Sequence, residues 1–212
     1  MIKGVIFDLD GVIVFTDQFH FKAWKQMASE LGFCLDEEVN HRLRGVSRME
    51  SLDIVLEGYK GASLSQKKKE ALADKKNNIY REFLAAMTPD DVTDQVRETL
   101  AELHRRGYRI ALGSSSKNAR FILEKVALAE VFDAVSDGTN ITKSKPDPEV
   151  FLKAAEYLGL CPKECIVVED AYAGIDAAKA GNMLAAGIGK AGEYDKADYC
   201  IKKFEDLLDF LK

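Results

Sequence analysis

Short apolar runs alternate along the chain with amphipathic stretches. The first run, Lys3-Gly4-Val5-Ile6-Phe7, is β-prone and turns abruptly acidic at Asp8-Leu9-Asp10-Gly11. That is the pattern of a buried parallel strand ending in a polar loop. Apolar runs recur at 108–112, 134–136, 165–168 and 183–188. Between them, 94–106 places Val96, Leu100 and Leu103 on one helical face and stops at Gly107, and 118–126 groups Ala119, Ile122, Leu123 and Val126 in the same way. Asp147-Pro148 reads as an N-cap followed by a proline at the first helical position, with Phe151, Ala154, Ala155 and Leu158 as the apolar face and Gly159 as the stop. Strands and helices alternating over short connections predict an α/β fold with a doubly wound parallel sheet.

Residues 16–88 break the alternation. Phe19, Ala23, Met27 and Leu31 recur at helical spacing with Trp24 and Ala28 beside them, and no strand pattern intervenes. An inserted α-helical cap is expected there, with 1–15 and 89–212 forming the α/β core. Because the insertion follows the loop of the first strand, it is expected over the C-terminal edge of the sheet, where such folds bind ligands. The Gly- and Ser-rich stretch 57–65 reads as a turn between two cap helices.

Composition narrows the function classes. The chain has 212 residues, 47% of them hydrophobic and 31% charged, with a formal net charge of −5. This is a soluble globular profile, unsuited to a general nucleic-acid or anionic-membrane surface. Cys34, Cys161, Cys165 and Cys200 contain no Cys-x-x-Cys pair, and only His20, His41 and His104 could complete a zinc site, so reduced structural thiols are expected. No window approaches the ~20 apolar residues of a membrane span, and no leader pattern opens the chain, so a cytoplasmic protein is expected.

Chemistry gathers at the predicted strand ends. Asp8 and Asp10, one residue apart, project to the same side while Leu9 points away. A second acidic pair, Glu169-Asp170, follows another apolar strand and opens a small-residue helix. In a parallel sheet both ends lie on one edge, and carboxylates converging there repel unless a hard cation holds them; oxygen-only ligands suit Mg²⁺. Ser114-Ser115-Ser116-Lys117-Asn118 puts hydroxyls and amides before a helix, as an anion cradle does, and Lys145-Pro146 offers a fixed ammonium. Taken singly each has a bland reading, a helix cap or a solvated charge. Four such signals at successive strand ends do not.

The order Asp8-Leu9-Asp10-Gly11-Val12, Ser114, Lys145-Pro146-Asp147-Pro148, Glu169-Asp170 resembles the four motifs of the haloacid dehalogenase (HAD) superfamily across the whole chain. In the cap, Thr16, His20, Trp24, Arg44-Gly45-Val46-Ser47-Arg48, Ser51 and Lys76-Asn77 resemble the β-phosphoglucomutase family, as does the run 114–118. Phe15 departs from that pattern, replacing an aspartate often found before the threonine.

The resemblance implies interconversion of β-D-glucose 1-phosphate and D-glucose 6-phosphate, with glucose 1,6-bisphosphate as intermediate and activator. Asp8 would become a phosphoaspartate and Asp10 would serve as general acid and base. Mg²⁺ would be held by the Asp8 side chain, the Asp10 carbonyl and Asp170, with Glu169 close by or coordinating through water. Ser114 and Lys145 would hold the transferring phosphoryl group, and His20 would link cap closure to Asp10. A second phosphate site is then needed. Arg48 suits it, because a guanidinium forks phosphate oxygens, with Ser116, Lys117 and Asn118 as helpers. Trp24 lies on the apolar stripe, either in the core or lining the cleft, and His41 and His104 receive no role. A monomer is expected. The rival readings are a sugar-phosphate phosphatase of the same superfamily, favoured against by the 44–48 loop and Lys76, and a non-catalytic phosphosugar- or nucleotide-binding module, for which a nucleophile would be superfluous.

Overall fold

The computed structural model describes residues 1–43 and 47–211, His41 by its backbone alone. In chain order the elements are β1 (Gly4–Phe7), α1 (Asp17–Glu30), α2 (Glu37–Arg42), α3 (Arg48–Leu56), α4 (Gln66–Ala85), α5 (Asp94–Arg105), β2 (Arg109–Gly113), α6 (Ala119–Lys125), β3 (Ala134–Ser136), α7 (Glu149–Tyr157), β4 (Cys165–Glu169), α8 (Tyr172–Ala180), β5 (Leu184–Ile188), β6 (Tyr199–Ile201) and α9 (Leu207–Phe210). They form two compact units, Met1–Phe15 with Met87–Lys212, and Thr16–Ala86.

The larger unit is a six-stranded sheet in the order β3-β2-β1-β4-β5-β6. Every pairing is parallel. The chain starts at the middle of the sheet and winds out to both sides, so β1 lies between β2 and β4. Its four residues are all buried, as apolar runs enclosed on both faces must be. Ile6, Ala111, Phe151, Val167, Ile175 and Ala185 belong to one packed core beneath the α7 and α8 side of the sheet. At ~1.5–3 kcal/mol per fully buried large apolar side chain, this packing is what fixes the strand ends in place.

The smaller unit is the helical insertion, α1 to α4, with its own core of Trp24, Met27, Ala28, Leu35, Leu52, Val55 and Ala73. Ser47 and Ser65 cap α3 and α4 through their hydroxyls. The stretch 57–65 joins those two helices.

Two details differ from the sequence reading. Edge strand β6 was not expected, since three residues with one fully buried, Ile201, leave too little pattern to read. Helix α7 begins at Glu149, with Pro148 as the cap residue in place of Asp147, although the Asp147 carboxylate does accept the Glu149 amide at 3.0 Å.

Candidate active site

The register of the sheet brings the site together. Phe7 pairs with Leu112 of β2 and with Val168 of β4, so Asp8, Gly113 and Glu169 reach the same edge one residue later. The Asp8 amide continues the ladder by donating to the Val168 carbonyl at 3.0 Å, and the Ser114 amide does the same to Ser136 at 3.0 Å. Lys145 enters from the loop between β3 and α7. Its Nζ donates to Asp8 Oδ1 at 2.5 Å and to Glu169 Oε1 at 2.6 Å, and sits 4.6 Å from the centroid of the Phe151 ring. Asp8, Lys145 and Glu169 are all buried.

Burial disfavours the charged ammonium of Lys145, yet Asp8 and Glu169 together outweigh it and raise its pKa above the ordinary value. For Glu169, burial raises the pKa and Lys145 pulls the other way. The second Glu169 oxygen accepts the Ala171 amide at 2.8 Å, so the carboxylate is fixed at both ends.

Asp8, Glu169 and Asp170 each bring an oxygen to within 4.8 Å of the others. Three converging carboxylates, two of them paired with one ammonium, form an oxygen-only donor set that a hard divalent cation satisfies. The backbone is shaped to admit them. A Cβ at Gly174 would lie 1.9 Å from Glu169 Oε1, and one at Gly11, which has φ +89, would lie 2.1 Å from Asp170 Oδ2. Asp10, on the bend where Gly11 donates to Val14 at 2.7 Å, is half-buried, and its carboxylate is not part of this cluster.

The run 114–118 folds back on itself. The Ser114 hydroxyl accepts the Ser116 amide at 3.1 Å, and the Ser116 hydroxyl accepts the Asn118 amide at 3.2 Å. Two of the amides expected to cradle an anion are therefore turned to neighbouring hydroxyls. The Ser115 hydroxyl is buried without a hydrogen-bond partner among the described residues, Asn118 is buried and Lys117 is exposed.

In the helical unit the cap residues form a second polar cluster. Lys76, buried on α4, has Nζ 2.7 Å from His20 Nδ1 and lies over the rings of Trp24 and Tyr80, 4.7 and 4.8 Å from their centroids. An ammonium has only donors, so Nδ1 accepts and the imidazole proton sits on Nε2. Removal from solvent, then Lys76 and Arg48, push the His20 pKa well below the ordinary value. Tyr80 stacks on His20 with centroids 3.9 Å apart, and its hydroxyl is 2.9 Å from Thr16 Oγ1. Arg48 donates to Asn77 Oδ1 at 2.9 Å. Trp24 lies in the helical core, Ser51 is buried, and Ser47 forms a capping box with Glu50. Arg44, Gly45 and Val46 lie outside the described residues. Tyr80 was missed by sequence reasoning; its place one turn after Lys76 on the same face was the available signal.

The chain belongs to the haloacid dehalogenase-like hydrolase family, whose model matches residues 2–182; it is an enzyme of that family's phosphotransferase and phosphatase type. Among its relatives, a β-phosphoglucomutase of Bacillus subtilis is 39% identical over 206 residues, covering 97% of this chain and 91% of the relative. The crystal structure of a β-phosphoglucomutase from Clostridium difficile matches with TM-score 0.90 at 38% identity, covering 98% of this chain and 93% of the other. A fructose-1-phosphate phosphatase of Escherichia coli is 32% identical, with coverage of 87% and 95%.

Proposed function

We propose that this protein is a β-phosphoglucomutase that converts β-D-glucose 1-phosphate and D-glucose 6-phosphate into each other through glucose 1,6-bisphosphate. The observation that carries the phosphoryl-transfer reading is Lys145 buried between Asp8 and Glu169 at 2.5 and 2.6 Å, beside carboxylates suited to a divalent cation. The mutase reading is supported by the likeness to β-phosphoglucomutases across nearly the whole chain and by the His20, Lys76 and Arg48 cluster.

Mg²⁺ held by Asp8, Glu169, Asp170 and the Asp10 carbonyl would neutralise charge on the transferring group. With a phosphoryl group on Asp8, Asp10 takes the proton from the sugar 6-hydroxyl. That oxygen then bonds to phosphorus as the bond to Asp8 breaks, giving the bisphosphate. After the bisphosphate turns round, Asp8 attacks the phosphorus at C1. The C1 oxygen leaves with the Asp10 proton, releasing glucose 6-phosphate and restoring the phosphoaspartate. Ser114 and Lys145 hold the moving phosphoryl oxygens. Arg48, with Ser116, Lys117 and Asn118, takes the other phosphate, and His20, with Lys76 and Thr16, orients the cap for Asp10.

The test is to supply Mg²⁺, β-glucose 1-phosphate and a trace of glucose 1,6-bisphosphate, and to follow glucose 6-phosphate and inorganic phosphate together. Glucose 6-phosphate with little free phosphate is the expected result. Free phosphate without isomerised sugar would instead establish a sugar-phosphate phosphatase. The observation favouring that reading is that relatives at 32% and 28% identity bear the names fructose-1-phosphate phosphatase and phosphorylated carbohydrates phosphatase.

A further inference from the structure

Lys145 has to hold an ammonium at a fixed point, yet it stands in a connection between β3 and α7 rather than on a strand or helix. What fixes that connection is the outer face of α7. Glu149 Oε2 accepts the Thr142 amide at 2.9 Å, the Thr142 hydroxyl at 2.9 Å and the Lys143 amide at 2.8 Å. One turn later, Lys153 reaches Glu149 Oε1 at 3.2 Å and also donates to the Asn140 carbonyl. On the far side of Lys145, the Asp147 amide donates to the Ser144 carbonyl at 3.1 Å and the Glu149 amide to Asp147 Oδ1 at 3.0 Å. An acidic residue in the first turn of a helix ordinarily does no more than complement the dipole. Here one carboxylate oxygen gathers three donors from the segment that leads into Lys145.

We infer that Glu149 is a positioning residue for phosphoryl transfer, a backbone clamp that places the Lys145 ammonium at the transferring phosphoryl group. This rests on the role proposed above for Lys145. The Thr142 and Lys143 amides hold the Glu149 carboxyl down to about 2, so it is ionised at neutral pH. Because Lys145 bears on a group whose charge is redistributed in the transition state, a slack clamp lowers kcat more than it alters binding of the sugar phosphate.

The experiment compares Glu149→Ala with wild type and with Lys145→Met in the same assay, alongside thermal unfolding. Glu149→Ala is expected to lower kcat by about tenfold or more, as displacement of a catalytic group by a fraction of an ångström does, with KM within about twofold and the folded fraction at assay temperature unchanged. If Glu149→Ala does not fold, Glu149→Gln, which keeps the side-chain length and one acceptor, is expected to lower kcat by about threefold with the same KM. A wild-type kcat in the folded variant, or a loss fully accounted for by unfolded protein, overturns the inference. Should Lys145→Met itself keep full turnover, the Lys145 reading fails and the clamp with it. An impaired Lys145→Met beside an unimpaired Glu149→Ala overturns the clamp alone.

Discussion

Asp8, Lys145 and Glu169 form a buried charged set in which no member can be removed cheaply. Lys145→Met leaves two carboxylates facing each other without their ammonium, and a broken buried pair of this kind costs about 3–5 kcal/mol. Denaturant unfolding in EDTA should show that loss, and added Mg²⁺ should recover part of it. Asp8→Asn keeps the shape and an acceptor for Lys145 while removing the proposed nucleophile. It should retain wild-type circular dichroism and lose turnover by about a thousandfold or more. His20 gives a pH signature. Its folded-state pKa lies below its unfolded value because burial, Lys76 and Arg48 oppose protonation, so the unfolded chain binds more protons as pH drops below about 6.5, and stability falls with acid. Relative to His20→Gln, the wild type should lose stability between neutral pH and pH 5 with a limiting slope of about 1.4 kcal/mol per pH unit. A parallel pair of pH profiles would contradict the assigned direction. At this scale the sequence showed the aspartates, because each follows an apolar run directly. It did not show Glu149 or Tyr80, whose partners lie in a loop and, for Thr16 and Tyr80, 64 residues away.

Elements matter here for what their ends hold. The α8 helix packs against the Glu169 carboxylate, a proposed metal ligand, through Gly174, where an added Cβ would meet Glu169 Oε1 at 1.9 Å. Gly174→Ala ought to improve helix propensity by up to about 1 kcal/mol and yet displace Glu169, so the variant should need severalfold more Mg²⁺ for half-maximal activity. An unchanged Mg²⁺ requirement would show that Glu169 stands clear of the cation. Most strands and helices could be read from periodicity because each buries a regular face, as α5 does with Val96, Leu100 and Leu103. Strand β6 escaped for the opposite reason, since Tyr199 is half-buried and Cys200 exposed. The start of α7 shifted by one residue because Pro148 and Asp147 share the capping work.

On the scale of the whole molecule, a parallel sheet that begins at its centre carries Asp8 at the end of a central strand and places Glu169 and Ser114 at the ends of its neighbours. That order was not in the sequence pattern, which fixes alternation but not which strands adjoin. The helical insertion was visible as the stretch where strand signals stop. No helix among the described residues is long and apolar enough to cross a membrane. In the proposed reaction the phosphoryl group passes through Asp8. Mixing the protein with Mg²⁺ and glucose 1,6-bisphosphate, quenching in acid within the first turnovers and mapping the peptides by mass would trap that intermediate. One added phosphoryl group is expected on the peptide containing Asp8, and none in Asp8→Asn. A phosphoryl group on another residue, or turnover with Asp8 unmodified at every time point, would contradict it.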